Sequence, residues 1–318
     1  EIHERLVGSE MCIRDSFWFM CLMAIPLGLG AGCVDSALNN YVSIHYNATV
    51  MSFLHCFYGV GVMVSPYIMS VVINSAVGWR GGYRTASLIQ ALIGSILLLA
   101  LPLWKKAHGE ESIQAEKKMK VLPISQTLRI PGALMTCLLF LTFCAIEVIC
   151  GGWSATYMVE AKHMPANLAA RATMYFYLGM ALGRFLSGVA AKKLTPWQII
   201  FISMGILGVS QTTLLVSGNN VLTMAALLMT GLGVGPLYPN FNYMTPLHFG
   251  KDVSQSVMGM QMTFASIGTI AAPALCGVLG QLLGMGIFPA YLMIFYVLTA
   301  VGIIALRRTL RQVGRLQQ

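Results

Sequence analysis

GLGAGCVDSALNNYVSIH, residues 28–45, returns as GLGVGPLYPNFNYMTPLH, residues 231–248. Six of the eighteen positions are identical at a constant offset of 203: Gly28/Gly231, Leu29/Leu232, Gly30/Gly233, Gly32/Gly235, Asn39/Asn242 and His45/His248. The echo continues at offset 207 with Gly61/Gly268 and Pro66/Pro273, and at offset 208 with Tyr83/Tyr291. A chain that repeats itself in parallel at this spacing is built as two copies of one unit.

Composition says what the unit is made of. The chain is 57% hydrophobic and 10% charged over 318 residues, with a mean hydropathy of +0.72. A soluble domain of that length needs far more polar surface. Long apolar runs with few charges read as transmembrane helices. Nine are expected, at 17–45, 50–77, 83–104, 131–159, 168–190, 196–216, 219–245, 253–283 and 287–306. The 32 glycines and 12 prolines suit membrane helices that pack closely and bend. The 21 methionines read as adaptable packing, not metal ligands. The eight cysteines form no CxxC pair, and most sit inside apolar spans, so metal or redox chemistry is not expected.

The net charge of +9 is a statement about topology. Alternate loops face opposite sides of the membrane. One side carries thirteen basic residues: Lys105, Lys106, Lys117, Lys118, Lys120, Arg129, Lys192, Lys193, Lys251, Arg307, Arg308, Arg311 and Arg315. The other carries four: Arg80, Arg84, Lys162 and Arg171. That asymmetry puts 105–130 and the C-terminus in the cytoplasm of a cell (inner) membrane protein and removes the case for nucleic-acid binding.

Residues 1–16, EIHERLVGSEMCIRDS, carry six charged groups and no membrane pattern, and the chain does not begin with Met. They lack the order of a signal peptide and are expected to be a non-native tail. The repeat leads to a related expectation. In the second copy 100 residues, 131–230, precede the Gly231 motif; in the first only 11, 17–27, precede Gly28. The difference of about 90 residues is three membrane helices. The expected parent therefore has two six-helix halves. This chain holds 17–104 of the first half (helices 4–6), the lysine-rich linker 105–130, the second half 131–306 (helices 7–12) and a basic tail 307–318. The nine-helix piece alone is expected not to transport.

Ionisable groups inside spans are expensive, so each is a candidate for function. Asp35 lies inside the first span with Asn39 one turn on, on the same face. A carboxylate beside a cavity can carry a proton or accept from a solute; the alternative is a structural acceptor satisfied by a neighbour. Its repeat counterpart is Tyr238, so the acid is not shared by the two copies. Glu147 sits mid-span ahead of Gly151-Gly152-Trp153, and Trp153 and Tyr157 are one turn apart, placed to stack on a ligand or to pack. His55 and Tyr58 share a face of the second span. Arg184 follows Gly179-xxx-Gly183 and precedes Lys192-Lys193, which reads as a gate or inter-helix pair near the cytoplasmic surface. Tyr238-Pro239-Asn240-Phe241-Asn242-Tyr243 puts two amides and two phenols in a proline-interrupted helix, where freed carbonyls face protein or a cavity. Gln261 on the next span is a further lining candidate. The chain has no GxxxxGK[ST], no HExxH and no Ser/His/Asp set, so neither a nucleotide-driven pump nor an enzyme is promoted.

Across 17–306 these features resemble the major facilitator superfamily: glycine-rich fourth and tenth helices, prolines after them, Trp79-Arg80 before the sixth and Gly183-Arg184 at the eighth. More narrowly, Gly30-Ala-Gly32-Cys-Val-Asp35-Ser-Ala-Leu-Asn39-Asn-Tyr-Val42 resembles the fourth helix of the fucose-permease-like branch. An acid at the position of Asp35 takes part in proton coupling there. Leu54-His55-Cys-Phe-Tyr58-Gly-Val-Gly61 resembles the branch's fifth helix, where a glutamine at the position of His55 faces the sugar. Histidine here departs from that glutamine, so the resemblance does not imply which sugar. The resemblance implies an all-α membrane protein of the major facilitator type, nine of its twelve helices being in this chain. It implies a secondary transporter, with proton-coupled symport of a small polar solute such as a sugar. Proton-antiport efflux and a non-transporting receptor on the same scaffold are the alternatives. Asp35 and Glu147 would carry the proton, and Asn39, His55, Tyr58, Trp153, Tyr157, Tyr238, Asn240, Asn242 and Gln261 would line the site. Arg184 would gate it. No cofactor beyond a proton gradient is expected, and the protein is expected to act as a monomer in the bilayer.

Overall fold

A computed structural model describes residues 17–73, 78–107 and 122–315, all of whose regular structure is helical. The tail 1–16 and most of the linker lie outside the described residues. In chain order the helices are α1 (Phe17–His45), α2 (Ala48–Ile73), α3 (Gly78–Ala107), α4 (Ile124–Arg129), α5 (Ala133–Glu160), α6 (Ala166–Ala190), α7 (Pro196–Val216), α8 (Asn220–Val234), α9 (Leu237–Phe249), α10 (Ser254–Leu283) and α11 (Phe288–Gln312). Eight of the expected spans each fall on one long helix. The ninth, 219–245, is two helices parted at Gly235-Pro236, and the short α4 precedes α5.

Local chemistry sets the boundaries. Thr195 and Gln198 make a reciprocal capping box with Pro196 in the first turn of α7. Asn219 accepts from the Val221 N–H at the start of α8. Pro236 has no N–H to give the helix that α8 begins, so the helix restarts at Leu237.

Seven helical stretches among the described residues are long and apolar enough to cross a membrane. The faces of α3 that carry Leu88, Leu92 and Leu99 are exposed. Surfaces of that size and polarity belong in hydrocarbon. The chain is a multi-pass integral membrane protein.

Close helix contact is bought with glycine in one place above all. A Cβ on Gly179 would sit 1.9 Å from the Leu228 carbonyl oxygen, and one on Gly231 would sit 2.0 Å from that of Phe176. The two GxxxG faces of α6 and α8 therefore meet backbone to backbone. The counterparts of Gly231, Gly233 and Gly235 in the first copy are Gly28, Gly30 and Gly32. These have open space around their Cβ positions, with nothing described within 4 Å.

The basic residues collect at one end of the bundle. Gly132, ahead of α5, packs on Leu306 and Leu310 of α11 and Phe249 of α9. The Arg307 guanidinium lies 5.0 Å from the Phe201 ring centre near the start of α7. The Leu122 N–H donates to Ser256 near the start of α10. This end thus gathers Arg129, Lys192, Lys193, Lys251, Arg307, Arg308 and Arg311. At the opposite end Lys162 donates to the Ser217 carbonyl, and Tyr157 stacks on Phe288 at the start of α11.

Candidate functional site between the repeats

Asp35 and Tyr238 occupy the same place in the two copies of the repeat, and they touch. The Tyr238 hydroxyl donates to Asp35 Oδ2 at 3.0 Å across 203 residues. Equivalent positions of two similar units meet only where the axis relating the units passes between them. The register read from Gly28/Gly231 therefore locates the centre of the molecule. The offset of 207 that relates Gly61 to Gly268 sends His55 to Met262, and both belong to the same cluster. The His55 ring lies edge-on to Tyr238 at 4.8 Å, and the Tyr238 hydroxyl is 3.0 Å from Met262 Sδ.

The first copy is hydrogen-bonded in series. Asn39 Nδ2 donates to Asp35 Oδ1 at 2.9 Å, one turn along α1. That orientation leaves Asn39 Oδ1 to accept, so the 2.9 Å contact from His55 Nε2 makes the histidine the donor. Asp35, Asn39 and His55 form one chain of donors and acceptors that reaches from α1 to α2. Tyr238 ties it to α9.

A second polar group adjoins it. Arg184 on α6 is 2% exposed. Its Nη2 pairs with Glu147 Oε2 on α5 at 3.3 Å, and its Nη1 donates to the His55 carbonyl at 3.3 Å. The Tyr58 ring lies 5.6 Å away. A guanidinium so buried needs its carboxylate, because an unpaired charge in such a place costs several kcal/mol, about 3–5. Arg184 binds the two repeats together through α2 and α5. It lies beside the mid-span Glu147 and the central histidine, so it belongs to the central cluster.

The remaining candidates divide. Tyr58 is exposed on α2. The Trp153 indole N–H donates to the Pro273 carbonyl on α10 at 2.9 Å, and its ring packs on Gly277. Tyr157 is buried against Phe288. Packing accounts for both aromatics in this structure. Asn240 Nδ2 donates to Ser187 Oγ on α6 at 2.9 Å. Gln261 exchanges hydrogen bonds with Thr245. Asn242, the counterpart of Asn39, has no exposed surface. Met262, Ser187 and Ser52 were not singled out from the sequence. Met262 could have been found by applying the 207 offset to His55; nothing in the sequence marks the two serines.

Among the described residues no group of three or more His, Cys, Asp or Glu could hold a metal ion. A groove of about 520 Å³ between α7 and α11, lined by Gly205, Gly208, Thr212, Met293 and Tyr296, shares no residue with the charged cluster.

The chain matches the family model of the Major Facilitator Superfamily over residues 6–273 and 135–315. It belongs to the Major Facilitator Superfamily. Among curated proteins it is 22% identical over 326 residues to Bypass of stop codon protein 6 of Saccharomyces cerevisiae, covering 89% of this chain. The chain spans 65% of that relative's length. Among solved structures it is similar to the transporter FucP in the outward conformation, with a TM-score of 0.68 and 16% identity, covering 91% of this chain and 74% of FucP. A variant of the E. coli fucose:proton symporter FucP gives a TM-score of 0.67 at 17% identity, covering 91% and 75%. At such identities the likeness is one of fold.

Proposed function

We propose that the natural gene product carrying this chain is a secondary active transporter that moves a small polar solute, such as a sugar, together with a proton. In this reading α1–α3 belong to the first half and α5–α11 are the second. The basic end faces the cytoplasm, and the halves rock about the Asp35–Tyr238 contact. The solute binds against the polar groups around it: His55, Asn39 and Tyr58 from one half, Asn240, Asn242 and Gln261 from the other.

The observation that carries the reading is the arrangement around Asp35. An ionised carboxylate accepts from both Asn39 and Tyr238. A protonated one becomes a donor at one oxygen. The Tyr238 hydroxyl, which has a single hydrogen, can then turn to Met262 Sδ. Both protonation states of Asp35 keep their neighbours partnered, which a proton-exchanging group requires and a purely structural acceptor does not. Glu147 is held by Arg184 and has no such freedom, so Asp35 carries the proton and Glu147 holds the arginine.

Membrane vesicles test this. With acid outside, labelled solute should accumulate above its equilibrium level, and a protonophore should abolish the accumulation. Asp35→Asn should lose accumulation yet keep solute exchange. Accumulation unchanged by Asp35→Asn would remove the coupling role.

A further inference from the structure

Helices α7 and α11 lie side by side and antiparallel, with Phe201 beside Arg307 and Gly208 beside Tyr296. Their facing residues form one continuous seam. On α7 it runs through Phe201, Gly205, Gly208, Thr212 and Val216, at helical spacings of three and four. On α11 it runs through Arg307, Ala300, Tyr296 and Met293. The groove of about 520 Å³ is the 205–216 part of this seam. Gly205 leaves it room, since a Cβ there would meet nothing within 4 Å. The Thr212 and Thr213 hydroxyls donate to the Gly208 and Val209 carbonyls, so the wall keeps its hydrogens to itself. Val209 and Val216 are exposed. Such a groove faces hydrocarbon and suits an apolar chain. The basic end of the same seam is built differently. The Arg307 guanidinium lies 5.0 Å from the Phe201 ring centre and 6.0 Å from that of Trp197. Two aromatic faces hold the cation in place. No carboxylate pairs with it among the described residues. Trp197 is 6% exposed, and its indole N–H has no acceptor among the described residues. Arg308 and Arg311 are exposed on the next turn. A fixed, unpaired guanidinium beside an unanswered N–H is recognition chemistry for an anion with oxygen acceptors.

We propose that the α7–α11 seam binds an anionic phospholipid of the leaflet at the basic end, its phosphate on Arg307 and one acyl chain in the groove. The lengths agree. Phe201 and Thr212 are eleven residues apart, about 16 Å of helix, and the hydrocarbon of one leaflet is about 15 Å deep. A headgroup at Arg307 therefore lays its chain along Gly205 and Gly208 and ends it near Thr212. Cationic pockets between helices at this face of a membrane suit lipid phosphates. A second copy of the chain does not suit the same surface. Two copies share one orientation in the membrane, so a symmetric contact here sets Arg307, Arg308 and Arg311 against their own counterparts. The site lies on the flank of the second half, shares no residue with the Asp35 cluster, and does not depend on what the protein moves.

Photo-crosslinking in vesicles tests this without any transport. The natural gene product is placed in phosphatidylcholine vesicles holding a minor amount of probe. The probe is phosphatidylglycerol or phosphatidylcholine with a diazirine near the end of one chain. The phosphatidylglycerol probe should mark the peptides that hold 205–212 and 293–296 in clear excess over the phosphatidylcholine probe. Arg307→Ala should cut that labelling about fivefold and leave the phosphatidylcholine probe unchanged. Arg307→Lys keeps the charge without the planar group and should fall between the two. Gly205→Leu puts a side chain into the groove and should cut labelling of the seam by both probes. Inorganic phosphate in excess should not compete, because it has no chain for the groove. Equal labelling by the two probes overturns the site, as does seam labelling that Arg307→Ala leaves untouched. Displacement of the phosphatidylglycerol probe by inorganic phosphate would show an anion site alone and overturn the lipid.

Discussion

Tyr238 is the side chain on which the two copies of the repeat depend at the centre. Its hydroxyl reaches Asp35 on one side and Met262 on the other. Tyr238→Phe keeps the ring and its packing on Phe140 and His55 and removes only the hydroxyl. Fold stability should change by about 1 kcal/mol, while proton-driven accumulation falls at least tenfold. Melting and uptake measured on the same preparation separate the two effects. Arg184 behaves in the opposite way. Arg184→Ala leaves Glu147 without its cation and should cost about 3–5 kcal/mol of stability. A second change, Glu147→Gln, should recover part of that loss in a thermal-melt assay. The part of this cluster legible in the sequence was the part carried by spacing. Asp35 and Asn39 are one turn apart, and Asp35 and Tyr238 are repeat mates. The pairing of Arg184 with Glu147 depends on how α5, α6 and α2 meet, and no local pattern encodes that. The same is true of Trp153 and Tyr157, whose ring faces were free as sequence and are occupied by α10 and α11 as structure.

The helices themselves were legible because an apolar run bounded by charges and caps leaves little choice in a membrane. The backbone must satisfy itself within the segment. Even the break in the span 219–245 was marked, by Pro236 and Pro239. The sequence does not show which glycines are obligatory. Gly231 and Gly205 look alike in an apolar run, yet a methyl at Gly231 would meet the Phe176 carbonyl at 2.0 Å and one at Gly205 meets nothing within 4 Å. Gly231→Ala should therefore force α6 and α8 apart and lower the melting temperature. Gly205→Ala should be neutral or stabilising by up to about 1 kcal/mol. Equal melting temperatures for the two variants would mean that the α6–α8 crossing is not held by backbone contact. The serines and asparagines that bond across the repeats, such as Ser254 with Asn40, were illegible for a similar reason. Small polar residues are common in membrane helices, and only the partner across the interface distinguishes an inter-repeat bond from a back-bonded hydroxyl such as Thr212 on Gly208.

At the scale of the molecule, charge is sorted by end. The end that gathers Arg129, Lys192, Lys193, Lys251 and the α11 arginines also carries the Asn40–Ser254 and Ser36–Gln255 hydrogen bonds between the repeats. With that end in the cytoplasm, a fluorescent protein fused after residue 318 should fluoresce in a bacterial host. Alkaline phosphatase fused at the same place should be inactive. The reverse pair of results would invert the topology. On the transport reading, Asp35, held between the repeats by Asn39 and Tyr238, is where the proton is carried. Solute-induced proton movement measures it most directly. Adding solute to de-energised cells in weakly buffered medium should raise the external pH as protons enter with the solute. In Asp35→Asn cells the pH should stay flat while labelled solute still exchanges. An equal rise in pH in the Asp35→Asn cells would contradict the account.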